Sequence, residues 1–382
     1  MSDGTVPTGT EVAIEWHGHP ARAWLPAALA ARDLTLPVDA VRLTERAAAE
    51  IRRVGDRLPS GWEPLARLLL RAEGIASSQI EGVRAPIGAV VAAEAGDPTA
   101  QPAADAVADN LAVVTDVLEH ARGAARLAVR DVHRWHARLM RHSALPEHLV
   151  GAFRDTQGWI GGRGPQDAVY VPPPADAIPG LMEDLVVFVA DPPPDAVAEA
   201  AIAHAQLETI HPYGDGNGRV GRLLVLWVLA RRLAMPVPPP VSVLIARDPG
   251  GYLSGLSQFR VGELVSWVEW FARVTTQAAL ASISWADEVD RLLADWRARI
   301  VDVRADAAAR RLLDVLPAHP ILSIDRAAEH ASISPTAARA ALEMLAARGI
   351  LEEQPSAPAG PGRLRRWWLA RELLDLIDGW EQ

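Results

Sequence analysis

Apolar side chains recur at helical spacing along most of the chain. Leu43, Ala47, Ile51 and Val54 lie three or four positions apart and predict a helix from about residue 40. Residues before it lack this spacing, so we expect them to be irregular, with short β-prone pieces. The same periodicity predicts further helices over residues 64–81, 106–118, 129–140, from about 178, 196–210, 217–233, and onward to about 312.

One internal segment, residues 151–174, is rich in glycine, proline and β-forming residues instead. Its two β-prone runs, Trp159-Ile160 and Val169 to Val171, flank the pair Gly161-Gly162. Two such runs around a glycine turn are typical of a β-hairpin. The pattern therefore predicts one hairpin inside a mainly α-helical protein.

The last 70 residues have a pattern of their own. Short helices are predicted around residues 312–316, 324–331 and 335–348, with Ser334 placed to cap the third. Two strands, 350–351 and 365–369, would follow, joined by a Pro/Gly loop at 355–362. Helix, turn, helix and hairpin is the pattern of a winged helix-turn-helix domain.

DNA binding by this region needs a stripe of positive charge. The third helix offers Thr336 and Arg339 but also Glu343, and the wing adds three arginines, Arg363, Arg365 and Arg366. Because this stripe is thin, we favour docking of a protein or dimerisation and keep DNA as the lesser alternative.

Composition excludes several activities. The chain has 382 residues, enough for two to three domains, and 38 basic against 48 acidic residues give a net charge of −10. That charge argues against a protein devoted to coating nucleic acid or an anionic membrane. Cysteine and lysine are both absent from the sequence, which excludes disulfides, thiol catalysis, Schiff-base chemistry and a Walker-A lysine.

Targeting and membrane signals are not apparent. The first residues, Met1 to Gly4, are neither basic nor apolar, so we expect no signal peptide. The longest apolar runs are short, such as Leu223 to Ala230, whereas a bilayer span needs about 18 residues. We expect a cytoplasmic protein without a membrane partner.

The segment from His211 to Arg222 carries the candidate chemistry. Three alternating glycines, Gly214, Gly216 and Gly218, come at the start of an apolar helix. Glycine lets backbone amides approach a ligand, and the amides at a helix start are unpaired donors in a positive dipole field. This arrangement predicts an anion cradle.

Charged side chains accompany the cradle. Arg219 and Arg222 lie three apart on one helix face, so both are placed to reach a polyphosphate. Asp215 is the nearest oxygen ligand for Mg²⁺, and His211 is placed to act as a general base near neutral pH. A base, a metal ligand and a phosphate cradle so close together indicate phosphoryl or nucleotidyl transfer.

Two other interpretations of this segment account for fewer of its features. Residues 216–221 match the G-x-G-x-x-G dinucleotide fingerprint, but that motif needs a strand before it and an acidic residue about 20 positions on. Here a helix precedes it, and Pro236 to Pro240 follows at that distance. A plain glycine turn does not explain the arginines and the aspartate together.

Four histidines lie close together in sequence, but we do not favour a metal site among them. Their spacings do not share one helix face, and no cysteine is available. We expect core or surface side chains at His133, His136, His142 and His148.

The motif resembles that of the Fic family, His-Pro-Phe-x-Asp/Glu-Gly-Asn-Gly-Arg-x-x-Arg, with Tyr213 in place of the usual phenylalanine. Flanking residues agree, and residues 151–185 resemble the family's flap region. The resemblance covers roughly residues 15–290 and implies a helical-bundle fold with a β-hairpin flap. We divide the chain into an N-terminal region (1–100), a Fic core (101–285), a connecting helix (286–312) and a winged helix (313–382).

The resemblance implies transfer of AMP from ATP to a serine, threonine or tyrosine hydroxyl of a target protein. His211 would be the base, and Asp215 would hold Mg²⁺ on the phosphates. The α-phosphate would be held by Asn217 and the amides around Gly216 and Gly218. The arginines of the motif would hold the outer phosphates, and Gly214 belongs to the same nucleotide-binding loop.

The family's target docks at the flap, which places Val169 and Tyr170 beside the incoming chain as an added strand. Tyr252-Leu253 falls where the family often has a tyrosine pair near the base. Leu253 departs from that pair, so the identity of the nucleotide stays open. Self-modification, a homodimer and DNA binding through the winged helix are left open as well.

A second motif, Ser77-x-x-x-Glu81-Gly82, resembles the inhibitory helix of the family, here at about residues 64–82. Ser77 and Glu81 are four apart and share a helix face; as an isolated match this would be a solvated helix end. The resemblance implies that Glu81 enters the nucleotide site and pairs with Arg222. The same glutamate could instead position water for removal of AMP.

The sequence thus favours an autoinhibited protein adenylyltransferase. Two alternatives remain. One is a DNA-binding regulator whose Fic core only senses nucleotide. The other is a Fic enzyme that uses another nucleotide donor or removes AMP.

Overall fold

The computed structural model describes residues 9–30, 34–57, 63–94, 101–123, 125–190, 195–355 and 366–380. Helices dominate these residues, which confirms the mainly α fold class. The first eight helices are α1 (Val38–Arg57), α2 (Glu63–Ile80), α3 (Ile87–Glu94), α4 (Pro102–Arg122), α5 (Val129–Leu139), α6 (Ile178–Ala190), α7 (Ala196–Ile210) and α8 (Asn217–Leu233). The next seven are α9 (Val241–Arg247), α10 (Pro249–Arg260), α11 (Leu264–Arg299), α12 (Ala308–Val315), α13 (Ile324–His330), α14 (Pro335–Ala347) and α15 (Arg371–Trp380).

An antiparallel pair, α7 and α8, forms the centre of the fold. Every residue of α7 and nearly every residue of α8 is buried, and a helix that is buried on all sides belongs to a protein interior. Helices α4 and α11 cover this pair, and α1 and α6 pack against α7. The glycine loop joins α7 to α8, so it stands on a rigid, buried scaffold.

Buried polar groups fix α2 along its length. Arg71 donates to the carbonyl of Ala318 (2.9 Å), and the carboxylate of Glu73 accepts from the backbone N–H of Ser242 (2.8 Å) and from its hydroxyl. Asn110 of α4 donates to a backbone carbonyl of α2 (2.8 Å). Displacing α2 would leave these groups unsatisfied in the interior, at about 1–3 kcal/mol each.

A β-hairpin stands at the start of the described chain, where the sequence predicts an irregular segment. Its strands, β1 (Gly9–Trp16) and β2 (His19–Pro26), are antiparallel. The turn between them has positive φ at His17 (51°) and Gly18 (78°), the geometry of a type I′ turn. The β-prone pieces are confirmed, because Val12 to Ile14 lie in β1. The expectation of an otherwise irregular segment is wrong, because His-Gly is not among the dipeptides that signal this turn.

The hairpin predicted within residues 151–174 is a chain reversal closed by one antiparallel bridge, between Ile160 and Tyr170. Gly161 and Gly162 turn the chain with φ of 71° and 69°, a region that glycine occupies without strain. We call residues 159–171 the flap hairpin. The rest of the 151–185 region is irregular or belongs to one short 3₁₀ turn (Ala175–Ala177) and the start of α6.

The C-terminal region has the predicted order of helices and strands, with differences in detail. A three-stranded sheet, in the order β3 (Ile321–Leu322), β5 (Arg366–Leu369), β4 (Glu352–Pro355), packs with α12 to α14, and α15 follows. The strand predicted at 350–351 starts at residue 352 instead. The N–H of Ile350 donates back to the end of α14 (3.0 Å), so this residue still belongs to the helix cap.

Charge in the wing is partly neutralised. Arg366 contacts the carboxylates of Glu343 (3.5 Å) and Glu353 (2.5 Å), while Thr336 and Arg339 are exposed at the start of α14. The other two wing arginines, Arg363 and Arg365, and most of the 355–362 loop lie outside the described residues. The winged-helix assignment and DNA binding stay predictions.

The domain division also stays a prediction. Its boundary at 285/286 falls within α11, which continues unbroken to Arg299. In the part of the chain that the structure describes, no helix combines the length and the apolar character that crossing a membrane requires.

Candidate active site

The glycine loop is folded by its own side chains. His211 ends α7 in the left-handed region (φ 48°), and Gly216 precedes α8 with φ 78°. The side chain of Asn217 closes the loop, because its Oδ1 accepts from the N–H of Tyr213 (2.8 Å) and its Nδ2 donates to the Tyr213 carbonyl (2.9 Å). The buried Tyr213 ring stacks on His136 with 3.9 Å between ring centroids. Asn217 therefore shapes the cradle, a role that the sequence prediction did not give it.

The first turn of α8 faces the loop. Gly216 is its N-cap and offers no side chain to the first amides, so these donors and the positive end of the helix dipole are available for an anion. Asp215 stands beside them. Its side chain is 60% exposed, and its Oδ1 accepts from the N–H of Gly216 (2.6 Å). Gly214 lies in the same loop, near Leu145.

Arg222 is the centre of a buried hydrogen-bond cluster. Its guanidinium is only 2% exposed, and its Nε donates to the hydroxyl of Ser77 (2.9 Å). Its Nη2 donates both to the Ser77 carbonyl and to Oε1 of Glu81, each at 2.8 Å. The predicted pair of Glu81 and Arg222 is thus present in the structure, and Ser77 joins it.

The carboxylate of Glu81 lies directly against α8. A Cβ atom on Gly218 would overlap Oε1 of Glu81 and would lie 2.9 Å from Nη1 of Arg222. Only a glycine at position 218 lets the carboxylate come this close to the helix start. The Glu81 carboxylate therefore lies against the first turn of α8, beside the anion cradle.

Arg219 and Arg222 point to different partners, although the sequence predicts one face for both. The Nη2 atom of Arg219 lies 3.3 Å from the sulfur of Met140 and 3.8 Å from the Asp215 carboxylate. Arg222 turns towards α2 instead. The two side chains therefore contact different elements, α2 for Arg222 and the end of α5 for Arg219.

His211 is held from both sides. Arg154 donates to the His211 carbonyl (2.9 Å), and Nδ1 of His211 lies 3.7 Å from the Glu208 carboxylate. Burial, and then the charges of Arg260 and Arg154, lower the pKa of His211 to about 4. The imidazole is neutral at pH 7, with Nδ1 towards Glu208 and Nε2 on its other edge.

The four remaining predicted residues form two neighbouring pairs, and each pair has one buried and one exposed member. Tyr252 is buried, and its hydroxyl pairs with Nε2 of His204 (2.9 Å), while Leu253 is 63% exposed. In the flap hairpin, Val169 is 84% exposed, but Tyr170 is buried, and its hydroxyl donates to the Thr209 carbonyl (2.5 Å). Tyr170 therefore anchors the flap hairpin, and Val169 stands at its free surface.

Several residues of the site were not predicted. Glu208 is buried beside His211, and burial, with the nearby Glu81 charge, raises its pKa to about 7. Glu73 and Asn110 position α2 from outside any recognisable motif. Arg154 ties the start of the flap region to the loop after α7, and its place within residues 151–185, which resemble the family's flap region, is the only signal for it.

Magnesium fits this site only together with phosphates. Among the described residues, no group of three or more acidic or histidine side chains is placed to hold a metal ion. One exposed carboxylate, Asp215, stands beside the helix start, and Mg²⁺ commonly bridges one or two carboxylates and substrate phosphates. The donor set is therefore compatible with a nucleotide-bound Mg²⁺.

Two of the four histidines that lie close together in sequence, His133 and His136, contact the ring of Tyr213.

Two glycines with φ 78° allow a matched test of the loop. A Cβ atom on Gly216 would lie 2.8 Å from the Met140 sulfur, whereas one on Gly82 would meet nothing within 4 Å. We expect Gly82→Ala to lower the free energy of unfolding by about 1–2 kcal/mol, the cost of the left-handed backbone alone. Gly216→Ala should lose about 1–3 kcal/mol more through overpacking. Denaturant titration measures both, and equal losses would contradict the contact with Met140.

Comparison with known proteins identifies a family match that includes the glycine loop. A model described as the Fic/DOC family matches residues 126–229. A protein adenylyltransferase of Caenorhabditis elegans is 29% identical over 147 residues, which is 38% of this chain and 27% of that protein. A probable protein adenylyltransferase of Aquifex aeolicus is 32% identical over 99 residues, 26% of this chain and 29% of that protein. The chain thus spans less than a third of the length of these curated relatives.

A solved structure supports the fold. A Fic family protein from Desulfovibrio desulfuricans superposes with a TM-score of 0.55 at 22% identity, over 88% of this chain and 97% of that one. The family match contains His211 to Arg222 but not Ser77, Glu81 or Tyr252. Residues 126–229 of this chain therefore form a domain of the Fic/DOC family.

Proposed function

We propose that this chain transfers AMP from ATP to a hydroxyl group of a protein, and that Glu81 holds it in an inhibited state. One observation carries the proposal: His211, the open first turn of α8 and Arg222 converge on a single loop. A neutral base, an anion cradle and a buried cation are the parts that nucleotidyl transfer needs. The names of the curated relatives support the same activity.

In the proposed step, the oxygen of the target hydroxyl attacks the α-phosphorus of ATP. Its proton passes to Nε2 of His211, because Nδ1 faces Glu208. The bond between the α-phosphorus and the bridging oxygen breaks, and pyrophosphate leaves with that electron pair. The base is ready at neutral pH because the pKa of His211 is lowered to about 4.

The cradle would hold the phosphates. Backbone N–H groups at Asn217 and Gly218 are placed for the α-phosphate, where negative charge shifts during transfer. Arg219 and Arg222 would bind the outer phosphates once Arg222 leaves Glu81. Asp215 would hold Mg²⁺, which neutralises phosphate charge when it is bound.

Inhibition follows from the position of Glu81. Its carboxylate contacts Arg222 (2.8 Å) and lies over Gly218, so it occupies the place and the cation that the phosphates need. Because two anions repel each other, ATP binds productively only when Glu81 is displaced. Arg222 would keep its bonds to Ser77 meanwhile and stay oriented.

Labelled ATP tests the reaction class. We expect the Glu81→Gly protein with Mg²⁺ to become labelled, or to label an added protein mixture, from α-³²P-ATP but not from γ-³²P-ATP. AMP transfer retains only the α-phosphate, so the γ-labelled nucleotide is the matched control. Labelling from the γ-position would identify phosphoryl transfer instead, and release of AMP from a labelled protein would favour the reverse reaction.

A further inference from the structure

Arg154 is a buried cation that stands just before the flap hairpin. Only 4% of the residue is exposed. Within the described part of the chain its guanidinium has no carboxylate partner, and burial lowers its pKa to about 10, so that it is cationic at pH 7. A buried charge is costly unless polar groups surround it. The contacts that surround this side chain therefore indicate its role.

The hydrogen bonds of Arg154 go to backbone carbonyls of three segments. Its Nε donates to the carbonyl of His211 (2.9 Å), its Nη1 to that of Thr156 (2.8 Å) and its Nη2 to that of Pro173 (2.6 Å). Its backbone N–H donates to the Pro212 carbonyl (2.9 Å). A planar guanidinium fork is suited to such a set, because its donors diverge in fixed directions. One residue thus joins the loop after α7 to the chain on both sides of the flap hairpin.

Two hydrogen bonds fix the backbone of His211. Its N–H donates to the Leu207 carbonyl (2.8 Å), and its own carbonyl accepts from Arg154. The φ of 48° at His211 lies in the left-handed region, which residues other than glycine rarely adopt without support from their surroundings. Because the directions of the N–H and the carbonyl follow from the backbone dihedral angles, these bonds also set the direction in which the imidazole leaves the chain.

The flap hairpin is fixed at the same place. Its two ends are closed by Gln157, whose Nε2 donates to the Pro172 carbonyl (2.8 Å). Tyr170 anchors the hairpin to the last turn of α7. Arg154 adds a connection that ends on His211 itself. A single guanidinium therefore holds the flap hairpin and the backbone of the base together.

The charge of Arg154 also acts on the base. Four charged groups face His211: Arg154 from the flap region, Arg260 from the end of α10, Glu208 from α7 and Glu81 from beyond the end of α2. The two arginines disfavour the imidazolium form and lower the pKa of His211, whereas Glu81 raises it. Loss of the Arg154 charge alone should therefore raise this pKa.

We propose that Arg154 is a positioning residue for AMP transfer, because it holds the imidazole of His211 and the flap hairpin in one fixed arrangement. The inference rests on the proposed function for the reaction that is positioned. The effect of Arg154 on His211 does not depend on catalysis and is measurable separately.

Two substitutions in the full-length Glu81→Gly protein test the position of the base. Arg154→Lys keeps the charge but replaces the fork by a point donor, which does not reach three carbonyls at once. We expect it to lower kcat for labelling from α-³²P-ATP about tenfold, and Arg154→Ala to lower it about a hundredfold, because small displacements of a reacting group are costly. The KM for ATP should stay within a few fold, since Arg154 lies outside the cradle.

Arg310 provides the matched control. Its guanidinium also donates to three backbone carbonyls, but in the C-terminal region, at Val303 (2.8 Å), Ile300 (3.0 Å) and Val301 (3.3 Å). We expect Arg310→Lys to leave kcat unchanged. An equal loss in Arg154→Lys and Arg310→Lys, unchanged rates in both Arg154 variants, or a loss that lies in KM instead of kcat would overturn the inference.

Free guanidinium ion tests the missing group directly. In Arg154→Ala, we expect millimolar guanidinium chloride to restore part of the lost rate, whereas sodium chloride at the same concentration should not. Absence of rescue in the folded variant would count against the inference. Near-UV circular dichroism reports whether the variant is folded. If Arg154→Ala does not fold, the comparison of Arg154→Lys with Arg310→Lys decides the result.

NMR of His211 separates this inference from the proposed reaction. With ¹³C-labelled histidine, the His211 signal is identified by its absence in His211→Ala and is followed against pH. We expect Arg154→Ala to raise the pKa of His211 towards its ordinary value and Arg154→Lys to leave it low. A raised pKa without AMP transfer from any form would support the coupling of Arg154 to His211 and refute the reaction. A pKa that Arg154→Ala leaves unchanged would overturn the inference, and AMP transfer by that variant at the parent rate would do so while supporting the reaction.

Discussion

Replacing Glu81 by glycine is expected to raise AMP transfer by roughly ten- to a hundredfold. The carboxylate makes one charge-assisted hydrogen bond to the buried Arg222, and such bonds contribute about 1.5–3 kcal/mol. ATP must compete against that energy for the same cation, which corresponds to the stated factor in the population of productive complexes. The rate of labelling from α-³²P-ATP, at saturating Mg²⁺, measures the change.

A carboxamide at position 81 separates the effect of the charge from that of the side-chain size. Glu81→Gln keeps the size of the side chain and removes its charge, so it should activate as well, though less than glycine. Glu119→Gln makes the same change at an exposed position of α4 and should have no effect. Labelling that is unchanged in both Glu81 variants, although ATP binds, would contradict inhibition by this residue. Faster loss than gain of label in the wild type would favour a role in removing AMP.

Replacing His211 by alanine in the Glu81→Gly protein is expected to lower transfer by about a hundredfold or more. A positioned general base contributes about 10²- to 10⁴-fold, and the pKa of His211 keeps it unprotonated at neutral pH. The affinity for ATP should stay within a few fold, because no cradle amide is lost. Single-turnover labelling measures the rate, and calorimetry measures the affinity.

The pH profile separates a base from a structural residue. If the base were a histidine with an ordinary pKa near 6.5, the rate of transfer would fall as the pH drops below that value. With a pKa lowered to about 4, His211 stays unprotonated, and transfer should persist down to about pH 5 and decline only below it. Glu81 raises this pKa, so its removal should move the acid limb lower still. An acid limb near 6.5 would contradict the buried environment of His211.

Much of this site was predictable because its residues are close in sequence. Twelve consecutive residues contain the proposed base, the glycine loop and both arginines, and local spacing defines the helix faces. The bounds of α7 and α8 followed from apolar runs that end at a glycine loop. The pair of Glu81 and Arg222 was predictable only through resemblance, because no spacing rule connects residues so far apart.

Other features depend on contacts that a single sequence does not express. The Glu73 carboxylate is stable in the interior only because Ser242, far along the chain, donates to it. Asn217 was assigned to phosphate, but the loop geometry gives its side chain to Tyr213. Arg219 turns to Met140 because α5 packs beside α8. In each case, tertiary packing selects one contact partner for the side chain, whereas the local sequence pattern allows several equally well.

The anchoring of α2 has a kinetic consequence. Arg71, Glu73 and Asn110 hold the helix in place, while Glu81 lies one residue beyond its end. Exchange of the carboxylate for a phosphate then requires rotation about a few side-chain bonds and no displacement of the helix. Rotamer changes of side chains that reach the solvent take picoseconds to nanoseconds, whereas helix shifts take microseconds to milliseconds. In the proposed mechanism, the lifetime of the inhibited state would therefore be set by the contact of Glu81 with Arg222, and no slow folding step would precede the response to nucleotide.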